Sequence, residues 1–228
     1  MFPHPKYSSL NSLMDRLDEL YAQGTHVKYL FIANGKHVIE VGNQRKLTIV
    51  CPIYIIGESR EQCIIEGGLL INGNKEDKVH VSNLTLRNSM GYGVYTQTSS
   101  TQLHNVSVEN SKWDGVCVCF SKSNTMTNCN ISHSSKSGLR VLLGGLMTID
   151  GSATSIHDNC TTYKDWLATH RNLDGFFETL VYGLHASGSS PIHLLAPLTK
   201  ETVSTNNHGD RNYGGEGTIA IVDNEGTI

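Results

Sequence analysis

Three segments of this chain line up on one another: Val81–Ser89 (VSNLTLRNS), Leu103–Ser111 (LHNVSVENS) and Met126–Ser134 (MTNCNISHS), offset by 22 and 23 residues. Each reads apolar, polar, Asn, apolar, polar, apolar, and a degenerate fourth copy follows at Ala153–Asn159. A second element recurs downstream with the same spacing: Gly93-Val-Tyr-Thr, Gly115-Val-Cys-Val, Gly138-Leu-Arg-Val and, 45 residues later, Gly183-Leu-His-Ala. The last gap is one period plus an insertion of roughly 20 residues.

Such short alternating strands between Gly, Asn and Ser turns cannot each bury a face alone. A fixed period lets equivalent positions stack, so each coil covers the apolar row of its neighbour and the core becomes a column. Asparagine is costly in that setting unless its amide is paired. A stacked Asn donates to the copy on the next coil, which requires that the position repeat. It does, at Asn83, Asn105 and Asn128.

These segments resemble the right-handed parallel β-helix repeats of the pectin-lyase-like superfamily, most clearly over residues 78–160 and again over 182–207. The resemblance implies an all-β, right-handed parallel β-helix solenoid of about 22-residue coils, each with three strands. An asparagine ladder then lies in the tight turn between the second and third strands. The Gly-apolar-x-apolar segments become first strands. The chain reads as one domain over residues 1–228.

Upstream, Tyr29–Ile32, His37–Val41, Lys46–Val50 and Ile53–Ile56 read as earlier strands. Leu10, Leu13, Met14, Leu17 and Leu20 recur at helical spacing, with Ser8 or Ser9 as N-cap and Gly24 as terminator. The spacing predicts a helix over 7–24 that caps the N-terminal end of the stack, as repeat solenoids require. The insertion at 161–181 is expected to hold a helical segment over Tyr163–His170. Its aromatic Trp166 would border the first-strand face. The apolar strand Gly217–Val222 is expected to leave the C-terminal end open to association with a partner.

Composition narrows the function classes. A net charge of −3 argues against a nucleic-acid footprint. No run of about 18 apolar residues suggests a membrane-spanning helix, and the first residues lack the apolar core of a signal peptide. The expected location is therefore cytoplasmic or intracellular, with the six cysteines as reduced, partly buried thiols. Cys117 and Cys119 point the same way on a strand, but no CxxC or HxxxH accompanies them, so no metal site and no cofactor are expected. The sequons at Asn83, Asn105, Asn130 and Asn159 read as by-products of the repeat.

Polysaccharide-acting members of the resembled superfamily work in a groove along the first-strand sheet. Alternation puts Val94, Val116, Leu139 and Leu184 inside and Tyr95, Cys117, Arg140 and His185 outside. One step before each glycine, Tyr92, Asp114, Ser137 and Tyr182 are also expected to face out. Tyr92, Tyr95, Asp114, Arg140, Tyr182, His185 and Trp166 are thus the candidate ligand-binding residues. The NTD, GHG and RIK signatures of polygalacturonase-like hydrolases are absent. So are pectate-lyase-like calcium carboxylates on consecutive first strands and the DPH motif of alginate-epimerase-like relatives. No family catalytic residue carries over. A glycosidase needs a pair of carboxylates, and the repeats supply only Asp114. The expectation is a non-catalytic binding or scaffold module that takes a polysaccharide or a protein partner along its first-strand face. The alternative is a lyase or epimerase on an acidic glycan. There Arg140 would neutralise the sugar carboxylate, His185 act as base and Tyr95 or Tyr182 as acid. A structural subunit of a larger assembly is the remaining alternative.

Overall fold

The computed structural model of the chain describes residues 1–39, 45–162 and 181–223. They wind as a right-handed parallel β-solenoid of about 7 turns. The first-strand column runs through β3 (Lys46–Ile49), β6 (Gly68–Ile71), β8 (Val94–Thr96), β10 (Val116–Cys119), β13 (Leu139–Leu142), β16 (Leu184–Ala186) and β19 (Tyr213–Gly214). The second runs through β1 (Tyr29–Ile32), β4 (Ile53–Gly57), β7 (Lys78–Arg87), β9 (Ser100–Glu109), β11 (Asn124–Thr127), β14 (Met147–Asp150), β17 (Ile192–Leu195) and β20 (Ile219–Val222). The third contains β2 (Gly35–Val38), β5 (Cys63–Glu66), the far halves of β7 and β9, β12 (Asn130–Ser132), β15 (Ser155–His157) and β18 (Ser204–Thr205).

Every strand pair is parallel and in register with its copy one coil away. Val94, Val116, Leu139 and Leu184 face one another in sequence, each at most 1% exposed. On the second column Val81, Leu103, Met126 and Ile149 do the same. On the third it is Leu86, Val108, Ile131 and Ile156. Full burial of one such side chain contributes about 1.5–3 kcal/mol. The second column ends on Ile221, which is 50% exposed because no further coil covers it among the described residues.

Left-handed corners recur at two places around the coil. Asn83, Asn105 and Asn128 have φ of 55°, 53° and 53°, and Gly151 takes the same corner at 79°. Asparagine tolerates this region better than most residues. The Asn105 side-chain amide donates to Asn83 Oδ1 at 2.9 Å, which is one rung of the expected ladder; no side-chain bond joins Asn128 to Asn105. The corner is so tight that β7 and β9 pass through it as unbroken strands. A second corner, which the repeat pattern does not announce, follows the third strand at Asn88, Asn110, His133, Asp158 and Asn206, all with φ between 53° and 58°.

The residue after that second corner turns inward. Ser89, Ser111, Ser134, Asn159 and Asn207 form a buried polar column, each at most 3% exposed. Asn159 donates to Ile131 O, His157 O and Asn207 Oδ1 at 2.9–3.1 Å. Opposite this column stand the glycines that open the first strands. A Cβ on Gly115 would come within 2.5 Å of Ile131 Cγ2, 2.7 Å of Gly138 O and 2.8 Å of Ser134 Oγ. Close approach, rather than backbone freedom, is what calls for glycine there. The sequon at Asn159 is accordingly a structural asparagine, since its side chain is buried and bonded.

At the N-terminal end, α1 (Leu10–Ala22) starts on Ser9, whose side chain accepts from Ser12 N while Ser12 reaches back to Ser9 N. Leu10, Leu13, Met14 and Leu17 are buried and Leu20 is partly so. The helix packs on β3, the end strand of the first column, as a cap. The predicted strand over His37–Val41 is instead Gly35–Val38, because pairing with Cys63–Glu66 sets its register. A short helix, α2 (Lys200–Val203), was not anticipated; Thr199 caps it. The expected helical segment at Tyr163–His170 lies outside the described residues.

Gly115→Ala is expected to cost about 1–3 kcal/mol through overpacking. Asn105→Ala should cost about 1–2 kcal/mol, from the left-handed corner and the lost amide bond, and Asn105→Gly clearly less. Urea denaturation of the three variants measures this; a Gly115→Ala protein as stable as the parent would contradict close approach as the reason for glycine.

Candidate functional site

The first-strand sheet turns one face outward. Register places Leu70, Tyr95, Cys117, Arg140 and His185 side by side on consecutive rungs, about 4.8 Å apart. The structure thus brings Arg140 and His185 together on adjacent strands of one face. The four residues before the glycines also stack, but not as expected. Tyr92 and Tyr182 are partly exposed, whereas Asp114 and Ser137 are 1% and 0% exposed. The expectation that Asp114 and Ser137 face solvent is therefore corrected. The reason is a bond between coils: the Ser137 amide donates to Asp114 Oδ1 at 2.8 Å and draws the carboxyl beneath the rim. His185 points outward as expected but is only 6% exposed.

At one end of the face Tyr92 and Tyr95 stack with centroids 4.8 Å apart, and Trp113 meets Tyr92 edge-on at 5.0 Å. Lys136 lies 5.7 Å over the Trp113 ring. Tyr92, Tyr95 and Trp113, with Leu69, Leu70 and Lys46, line a cavity of about 240 Å³. Trp113 was missed in the sequence. The available signal was its phase: it lies two residues before Gly115, as Gly91 lies before Gly93 and Lys136 before Gly138. At the other end Tyr182 meets His185 edge-on at 5.4 Å. Trp166 lies outside the described residues.

Between these ends the groups are electrostatically tuned. Burial pushes the Asp114 carboxyl above the usual carboxylate range, against the pull of Arg140 and the Ser137 amide. Burial pushes His185 down to about 4, helped by the Arg140 charge. Its Nδ1 pairs with Ser137 Oγ at 3.3 Å and its Nε2 with Ser187 Oγ at 3.1 Å, so the neutral ring is held from both sides. Burial raises Tyr92 to about 12 and raises Tyr95 as well. A hydrogen bond from Cys117 lowers Cys119 to about 7. The Nε of Arg140 is buried without a hydrogen-bond partner among the described residues. All six cysteines are free and buried.

A larger hollow of about 470 Å³ lies on the third-strand face. Its charges are spent internally: Arg87 pairs with Glu109 at 3.1 Å, and Arg60 donates to Asn128 O at 3.3 Å. Among the described residues no helix is long and apolar enough to cross a membrane.

The family described as a right handed beta helix region matches residues 67–225. No curated protein sequence matches the chain. Among solved structures, it is similar to the A-module of the mannuronan C-5 epimerase AlgE6 from Azotobacter vinelandii. That match has 14% identity and a TM-score of 0.26, covering 96% of this chain and 98% of that one. The AlgE4 A-module from the same organism matches at 12% identity and a TM-score of 0.23, covering 96% and 94%.

His185 carries a signed pH dependence. Its pKa is near 6.5 unfolded and about 4 folded, so the unfolded chain binds the extra proton between those values. Its contribution is fully present above pH 6.5 and is lost as pH falls towards 4. Asp114 has the opposite sign, since its folded pKa is raised. Between pH 7 and pH 4.5, His185→Gln should lose about 2.5 kcal/mol less stability than the parent. Urea denaturation at the two pH values measures the difference; equal losses would show that the ring is not held neutral.

Proposed function

The chain belongs to the right-handed β-helix family, and we propose that it is a non-catalytic module that binds a glycan along its first-strand face. The observation that carries this reading is the aromatic trio of Tyr92, Tyr95 and Trp113 around a cavity of about 240 Å³ on that face. A sugar ring has one face of C–H groups and an edge of hydroxyls. Flat rings that are apolar in the middle and polar at the tip suit both. The cavity is mostly apolar with few polar groups, as small-ligand sites are. Lys46 and Lys136 stand at its margin for hydroxyl contacts.

The chemistry of the face supports binding over turnover. Its outward and rim positions offer a single carboxyl, Asp114, which is buried and bonded to the Ser137 amide. A pair of carboxylates flanking a bond is therefore missing from these positions. The second reading is a lyase or epimerase on an acidic glycan, and what favours it is the Arg140–His185 register pair. A base held near pKa 4, with both ring nitrogens occupied, is a weak proton acceptor near neutral pH.

Titrating the intact chain with neutral and acidic oligosaccharides, by calorimetry, separates these readings. Binding without change of the sugar is expected. Trp113→Ala and Tyr95→Ala should each weaken it roughly tenfold, or about 1.4 kcal/mol. Appearance of unsaturated or epimerised product, abolished in Arg140→Ala and His185→Ala, would replace the binding reading with the second one.

A further inference from the structure

Glycan binding leaves one feature of this face unused. Cys117 and Cys119 are two residues apart on β10, so both side chains lie on the same side of the strand. Val116 and Val118, which alternate with them, take the core positions. On one side Tyr95 is the register partner of Cys117. On the other side Arg140 is the register partner of Cys117. Its charge acts on both sulfurs, and its Nε has no hydrogen-bond partner among the described residues. The two thiols are 2% and 3% exposed.

The spacing decides what such a pair can do. Same-side Cβ atoms two residues apart on a strand are separated by about 6.6 Å. A disulfide needs Cβ atoms at roughly 3.5–4.5 Å, so direct oxidation would require the strand to move. One cation between the sulfurs needs far less: two metal–sulfur bonds of about 2.3 Å put the sulfurs about 4.6 Å apart. The side chains reach that by leaning together. Zinc would take four ligands, and no group of three His, Cys, Asp or Glu side chains that could hold an ion occurs among the described residues. Soft thiolates select Cu(I), which is satisfied by two. A bis-thiolate with one monovalent cation carries one net negative charge, and Arg140 stands beside it with one positive charge.

We propose that Cys117 and Cys119 form a two-coordinate site for a soft monovalent cation, Cu(I), with Tyr95 and Arg140 as its outer partners. Each S–H bond is replaced by an S–Cu bond and two protons leave to solvent. The metal stays Cu(I), so no oxidant or reductant takes part. The expectation of no metal site rested on the missing zinc-type spacing, which bears on four ligands and not on two.

The test is an anaerobic titration of the full chain with Cu(I) against a coloured Cu(I) chelator. One equivalent should be withheld by the parent chain. That equivalent should be lost in Cys117→Ser and in Cys119→Ser and kept in Cys51→Ser and Cys160→Ser. Circular dichroism of each variant checks that it folds. Should a serine variant unfold, alkylation mapping of the parent decides instead: Cu(I) must protect Cys117 and Cys119 together. An equivalent retained without either thiol, no withheld copper, protection of other cysteines, or displacement by equimolar Zn(II) would each overturn the site.

Discussion

The structure depends on how closely one coil can lie on the next at the mouth of the first strands. There the glycine column meets the inward Ser and Asn column. The pair Gly115–Ser134 and its copies leave no room for a methyl group. That contact fixes the distance between the first strand of a coil and the corner after that same coil's third strand. With it fixed, all three sheets fall into register, and Val, Leu, Met and Ile of successive coils meet in columns. At its ends the polar column is satisfied, Ser89 donating to Tyr92 O and Asn159 and Asn207 bonding each other and backbone carbonyls, whereas the Ser111 and Ser134 hydroxyls between them have no hydrogen-bond partner among the described residues.

The same stacking builds the functional face. A parallel sheet in register presents like positions side by side, so residues 22 or 23 apart, or 45 across the insertion, become neighbours about 4.8 Å apart. Tyr95, Cys117, Arg140 and His185 are one such row. The row is varied because the core does not depend on it. Its members tune one another through burial and the single Arg140 charge, which acts on Asp114, Cys119 and His185 alike. The aromatic pocket and the dithiol meet at Tyr95, which lines the one and is the register partner of Cys117 in the other.

Legibility differed sharply between residues. Asn83, Asn105 and Asn128 are legible because a residue that tolerates the left-handed region recurs at one phase of an apolar frame. The inward valines and leucines were visible from alternation. The serines ending each repeat segment were in plain view, but nothing local says that Ser89 turns inward while Asn88 makes a corner. Period 2 places Asp114 on the outer side of the strand but does not say what covers it. Its bond to the Ser137 amide is a contact between coils, 23 residues away.

The sequence by itself determined the solenoid, its period, its capping helix and the row of side chains on its outer face. Those follow from periodicity, which is local and repeats. Only the tertiary structure decided which members of that row are buried, that Trp113 joins Tyr92 and Tyr95 around a cavity, and that Arg140 stands over both Asp114 and a pair of thiols. Those are contacts between coils, set by the exact offset of one turn against the next, and a pattern of residue types does not contain that offset.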